Sequence, residues 1–211
     1  MTPCETYEHE GVTVSIYYDE DAESPREWCN TGTMVCWHRR YNLGDEQASL
    51  DYDSMEELAA SLDARIILPL YLYDHSGLSM STGSFNDPWD NGQVGFIYAT
   101  ADDIREAFMV KRITAKVAAQ AEESLRSEVS AYDSFLQGEC YGYIVDRDGD
   151  DEGSCWGFVG DIDYCKQEAN SVAEYVAKER RAPDRIYVDG VPIEEALYAL
   201  STAGGTGRGT A

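Results

Sequence analysis

The order of period-two apolar stretches around one long helical stripe constrains this fold more than any single motif. Residues 11–18 alternate, with Val12, Val14, Ile16 and Tyr18 as the β-branched or aromatic set, the signature of a half-buried strand. Residues 65–73 and 92–98 read as further strands. Residues 33–38 are a short apolar run whose periodicity fits strand and helix equally. From about 114 to 136 the pattern changes to a helical one, with Val117, Ala121, Leu125, Val129, Tyr132 and Leu136 on one stripe and Gly138 to end it. Residues 141–145 and 154–159 then flank Asp146-Arg147-Asp148-Gly149-Asp150 as a β-hairpin. Strands and helices are mixed without a steady βαβ alternation, which makes α+β the best class. The expectation is α+β: a mixed, mainly antiparallel sheet packed by three to five helices.

Four shorter helices complete that expectation. Ser54-Met55-Glu56-Glu57 forms a capping box ahead of an apolar face made by Met55, Leu58, Ala59 and Leu62. Thr100 N-caps a short helix that turns Ile104, Ala107 and Phe108 inward. A helix from about 161 to 181 has Ile162, Cys165, Ala169, Val172 and Val176 on its inner face. Another starts at Pro192 and runs to about Leu200, after a short strand at 186–188 and an Asp189-Gly190 turn. We expect a single domain over residues 1–201 and a disordered Gly/Thr-rich tail over 202–211.

Charge bounds the partners. The 211 residues carry 40 Asp plus Glu against 16 Lys plus Arg, a formal net charge of −24. Residues 1–106 hold 21 acids against 5 bases, so the excess is concentrated in the first half. Such a chain repels polyanions, which argues against direct nucleic-acid binding and in favour of basic partners. Its bases are 12 arginines and 4 lysines, a bias that an acid-rich host proteome also produces. The first residues show no basic segment followed by an apolar one, and the longest apolar runs are too short to span a bilayer. A cytoplasmic chain with no membrane contact is therefore expected. The six cysteines contain no C-x2-C pair, so neither a metal nor another cofactor is expected.

Two islands hold the candidate sites. In the first, Arg26, Trp28, Trp37, His38, Arg39 and Arg40 gather in an otherwise acidic half. Guanidinium groups there could grip an anion while an indole stacks a ring; equally, they could hold neighbouring carboxylates in a purely structural role. In the second, Asp74 and His75 end a strong strand, and Asp87, Trp89 and Asp90 occupy a loop rich in turn residues. Asp74, His75, Asp87 and Asp90 are the candidate acid–base groups, with Trp89 a further stacking residue. Neighbours on a strand point to opposite faces, which weakens any Ser-His-Asp triad through Asp74, His75 and Ser76. The acids at 146–151 miss the EF-hand pattern, since Asp151 and Gly157 stand where Gly and Glu belong. An acidic interaction surface would be assembled from Asp19, Glu20, Asp21, Glu23, Asp45, Glu46, Asp51 and Asp53.

These islands also carry a family resemblance. Ser-Pro-Arg-Glu-Trp at 24–28, Gly-Thr-Met-Val-Cys-Trp-His-Arg-Arg-Tyr-Asn-Leu-Gly-Asp at 32–45, Leu-Pro-Leu-Tyr-Leu-Tyr-Asp-His-Ser-Gly at 68–77 and Pro-Trp-Asp-Asn-Gly-Gln-Val-Gly-Phe-Ile-Tyr at 88–98 resemble a family of uncharacterised acidic bacteriophage and mobile-element proteins. The similarity spans about residues 15–165. Cys29 stands where that family usually has an acid. The resemblance implies a phage accessory gene with no assigned activity, and it favours counter-defence. Two expectations follow: a DNA-mimic-like protein that binds and blocks a basic host nuclease or other defence protein, or a small enzyme or binder of a nucleotide-like anionic ligand at 24–45 and 74–91. The sequence leaves catalysis open.

Overall fold

The computed structural model describes residues 1–47, 60–75, 77–85, 91–179, 187–188 and 191–193. Its strands divide between two main sheets, each backed by its own helix. The first sheet joins the N-terminus to the C-terminal half of the chain. It comprises β1 (Glu5–His9), β2 (Val12–Tyr18), β8 (Cys140–Arg147) and β9 (Asp150–Val159), in that spatial order and antiparallel throughout. The second, ordered β4-β3-β7-β5-β6, is built from the sequence between them: β3 (Thr33–Cys36), β4 (Glu46–Gln47), β5 (Ala64–Asp74), β6 (Leu78–Ser81) and β7 (Asn91–Thr100). All its pairings are antiparallel except β3 with β4. Thus the mixed, mainly antiparallel α+β class holds, and the ambiguous run at 33–38 is a strand.

Helix α1 (Ala101–Ala107) is capped by Thr100, whose hydroxyl accepts from the Asp103 amide while the Asp103 carboxylate accepts from the Thr100 amide. It buries Ile104 and packs Phe108, whereas Ala107 is exposed rather than inward. Helix α2 (Ala115–Leu136) starts at the Thr114 cap and buries Ala121, Leu125, Val129 and Tyr132, the stripe expected of it. That stripe meets Met34, Leu68, Leu70, Leu72, Val94 and Ile97 of the second sheet. Helix α3 (Ile162–Lys178), capped by Asp161, sets Cys165, Ala169, Ala173 and Val176 against Val12, Val14, Ile16, Tyr143 and Val145 of the first. Small residues on the helix let it lie close to bulkier strand residues.

Three strands of the main sheets escape the sequence pattern, the two-residue β4 among them. β1 turns into β2 through Glu10 and Gly11, both at positive φ, and β6 occupies four residues of what reads as a loop. The β8–β9 turn is tighter than expected, closing on Asp148 (φ 57°) and Gly149 (φ 93°), two left-handed positions that match the twist of the flanking strands. Val191–Pro192 (β11) pairs with Tyr187–Val188 (β10), so Pro192 ends a strand and helix begins at Ile193. The 54–62 helix, apart from its last residues, lies outside the described residues, as do the helix to Leu200 and the tail at 202–211. Among the described residues no helix is long and apolar enough to cross a membrane.

Candidate functional site

β3 and β5 both run antiparallel to β7, so their C-terminal ends and the start of β7 lie at one end of the second sheet. The strand order therefore brings His38, Arg39 and Arg40, just after β3, beside Asp74 at the end of β5. An Arg40 nitrogen lies 3.2 Å from an Asp74 carboxylate oxygen, and Arg40 also donates to the Tyr41 hydroxyl at 2.7 Å. Tyr41 in turn points its hydroxyl at Asp74, 3.4 Å away, and its ring lies parallel to that of His38 with centroids 5.0 Å apart. His38 Nδ1 accepts from the Arg40 and Tyr41 amides, which fixes the ring in place. Arg39 is exposed. Tyr41 is the member that the residue types did not single out; its position between a histidine, an arginine and an acid is a tertiary fact.

Asp74 and His75 diverge, as strand alternation requires. Asp74 turns to Arg40 and Tyr41, while His75 stacks near Tyr73 (6.0 Å), which also meets Phe85 (5.6 Å). They do not form an acid–base pair with each other. Trp37 packs edge-on to Phe96, and its amide donates to the Val94 carbonyl. Asp87, Trp89 and Asp90 lie outside the described residues, as do Asp51 and Asp53.

The first island is split by its own strand. Arg26 and Trp28 precede β3 and sit at its other end. Arg26 stands in a 3₁₀ turn (Pro25–Glu27) that the Ser24 hydroxyl caps. Its side chain is only 5% exposed, and its donors are spent within the protein. Nε and Nη2 bond the two Asp45 oxygens at 2.9 and 2.6 Å, Nη2 also reaches the Gly32 carbonyl at 2.7 Å, and Nη1 reaches Glu128 of α2 at 3.2 Å. Glu128 accepts in addition from the Thr31 and Gly32 amides, and Asp45 from Met34. Burial alone would favour loss of the proton, but the Asp45 and Glu128 carboxylates outweigh it and hold Arg26 above its ordinary pKa. Of the two readings of this arginine, the geometry is that of the structural one; Asp45 serves as its partner and remains an exposed residue. Trp28, by contrast, is 45% exposed.

The remaining surface acids are arranged around a second feature. Asp19 accepts from the Gly157 amide at 2.9 Å and from Asp21, tying the 19–21 loop to β9, while Glu20, Asp21, Glu23 and Glu46 are exposed. Among the described residues no three His, Cys, Asp or Glu side chains are grouped to hold a metal ion. All six cysteines are free thiols, with burial pushing Cys36 up to about 12 and Cys165 to about 11. Comparison with protein-family models, curated proteins and solved structures finds no match.

Proposed function

We propose that this protein is a phage-borne, acidic counter-defence protein of the host cytoplasm that binds a basic host protein and blocks its DNA-binding surface. The observation that carries this reading is the charge left over after internal pairing. Lys and Arg ion pairs among the described residues engage eight carboxylates, those of Glu5, Asp45, Asp74, Asp102, Glu122, Glu128, Asp163 and Glu174. Among the described residues the buried set contains no acid, and the chain as a whole carries a formal net charge of −24. A field of that sign attracts basic clefts and speeds encounter with them, the more so at low ionic strength. The test is capture of host DNA-binding proteins at low salt, followed by challenge with duplex DNA. Capture that DNA competes away and that weakens steeply with salt supports the reading. Absence of any DNA-competed partner at low salt overturns it.

A second reading is favoured by the convergence of His38, Arg39, Arg40, Tyr41 and Asp74 at one sheet end: a small anionic ligand, nucleotide-like, bound or processed there with Asp74 or His75 as the acid–base group. An anion would have to displace Asp74 from Arg40, so Asp74→Asn should tighten binding of a nucleoside phosphate measured by thermal shift. Unaltered melting of both wild type and Asp74→Asn across a nucleotide panel removes this reading.

A further inference from the structure

The first sheet has two unlike faces. One is covered by α3. The other carries side chains that strand alternation places away from the helix, in three cross-strand rows. Glu8, Thr13, Asp146 and Asp151 form one row, and Thr6, Ser15, Ile144 and Ser154 the next. In the third, Tyr17 stands opposite Gly142, and the Trp156 ring from β9 lies over that glycine so closely that a Cβ there would strike the indole. Successive rows are roughly 7 Å apart. Tyr17 flanks the indole at 5.8 Å, and Trp156 is 39% exposed. The indole is thus seated on backbone and remains exposed to solvent.

A flat, exposed indole can stack a nucleobase or a guanidinium group, and the local charge decides between them. The four strands contain the carboxylates Glu5, Glu8, Asp146, Asp150, Asp151 and Glu152. Their one Lys or Arg is Arg147, which turns to the Glu179 carbonyl at the end of α3; Glu5 turns the same way, to Lys166. At the aromatic end, the Asp19–Gly157 bond anchors Asp19, Glu20 and Asp21 close by. A nucleic acid would meet carboxylates at both ends of this face. We propose that this face is the docking surface for a basic protein segment, with an arginine of the partner stacked on Trp156 and further basic side chains paired along the Glu8–Asp146–Asp151 row. Arginine is favoured over lysine because its planar guanidinium stacks on an aromatic face and pairs with carboxylates in a fixed fork. The assignment rests on the reading of the protein as a binder of a basic partner.

The test titrates the full ¹⁵N-labelled chain with an oligoarginine and an oligolysine peptide of equal length. The Trp156 indole N–H resonance, identified with Trp156→Phe, should move most among the four indoles. Oligoarginine should bind roughly 3- to 30-fold more tightly than oligolysine, a preference that Trp156→Ala removes. Equal affinity for the two peptides, or shifts at other indoles with Trp156 unmoved, overturns the assignment. Should Trp156→Ala unfold, the triple variant Glu8→Gln, Asp146→Asn, Asp151→Asn decides. It keeps one acceptor oxygen at each position for the Thr13, Gly149 and Gly153 donors, and it should weaken oligoarginine binding more than neutralisation of Asp102, Glu106 and Glu123; equal losses overturn the assignment. DNA-competed capture of a host protein that persists unchanged in these variants defeats this surface alone, whereas failure of the wild type to capture any such protein defeats the functional reading beneath it.

Discussion

Arg26 and Asp45, nineteen residues apart, are joined by two parallel hydrogen bonds from Nε and Nη2 to the two carboxylate oxygens, in a pocket closed by Glu128 from α2. The network ties the segment before β3, the loop after it and the long helix into one piece. A forked guanidinium is suited to that task because it satisfies several acceptors from a single rigid plane. Its energetic value lies chiefly in what its loss would leave behind. Taking away one partner strands the other charges out of water.

Replacing Arg26 with methionine should therefore cost about 3–5 kcal/mol, since two carboxylates would remain half-buried and unneutralised. Glu128→Gln, which keeps an acceptor for the Thr31 and Gly32 amides but removes the charge, should cost less. Urea unfolding monitored by tryptophan fluorescence gives both numbers. A loss below 1 kcal/mol for Arg26→Met would mean that the pocket is wetter than its geometry indicates.

The pair formed by Arg40 and Asp74 is expected to behave in the opposite way. The Arg40 side chain is 69% exposed, so water screens the attraction and the pair should contribute under about 1 kcal/mol. A double-mutant cycle with Arg40→Ala and Asp74→Ala measures the coupling directly.

Two glycines in strands are demanded by close approach. A Cβ on Gly95 would fall on the Val35 carbonyl oxygen, which cannot move without disturbing the β3–β7 pairing, and 3.0 Å from Sγ of the buried Cys36. On Gly142 it would meet the Trp156 ring, a half-exposed side chain able to swing outward. Gly95→Ala should then cost about 3 kcal/mol and Gly142→Ala nearer 1. Comparable melting temperatures for the two variants would contradict this ranking.

The thiols should separate by burial. Cys4, Cys29 and Cys155 are exposed and should react with a thiol reagent in the native state, whereas Cys36, Cys140 and Cys165 should react after unfolding. The same burial makes stability depend on pH on the alkaline side. Cys36 holds its proton to about 12 in the folded chain, against an ordinary value of 9.0, because burial first and then Asp45 disfavour the thiolate. Between those values the unfolded chain has released a proton that the native chain retains, so stability falls as pH rises, by up to about 1.4 kcal/mol per pH unit for this group. Burial raises Tyr132 as well, and its contribution has the same sign. Chemical denaturation from pH 8 to 11 should show a declining free energy whose slope is reduced in Cys36→Ala.

Much of the architecture could be read from periodicity. The stripe of α2, the Thr100 cap and the alternation of β2 are local patterns that stand in the structure nearly as written. β1 was not legible, because Glu5–His9 is mostly polar and exposed and becomes a strand by pairing with β2. β6 likewise depends on its neighbours: β5 supplies its ladder, and Asp133 of α2 accepts from the Met80 amide. The candidate residues were legible as types but not as groups. Arg26 and Arg40 lie in one short stretch, yet β3 sends them to opposite ends of the sheet and to different tasks.

The amino-acid sequence by itself determined the class of the fold, the positions of its strongest helices and the sign of its field, because each follows from local spacing or from a sum over residues. Tertiary structure alone decided that the strands divide into two main sheets, with β10 and β11 a separate pair. It also buried Arg26 against Asp45 and Glu128, and it turned Asp74 from His75 to Arg40. The exposed indole of Trp156 is likewise its work. These outcomes rest on contacts between residues far apart in the chain, such as Asp19 with Gly157, 138 positions on, and no local pattern carries such a pairing.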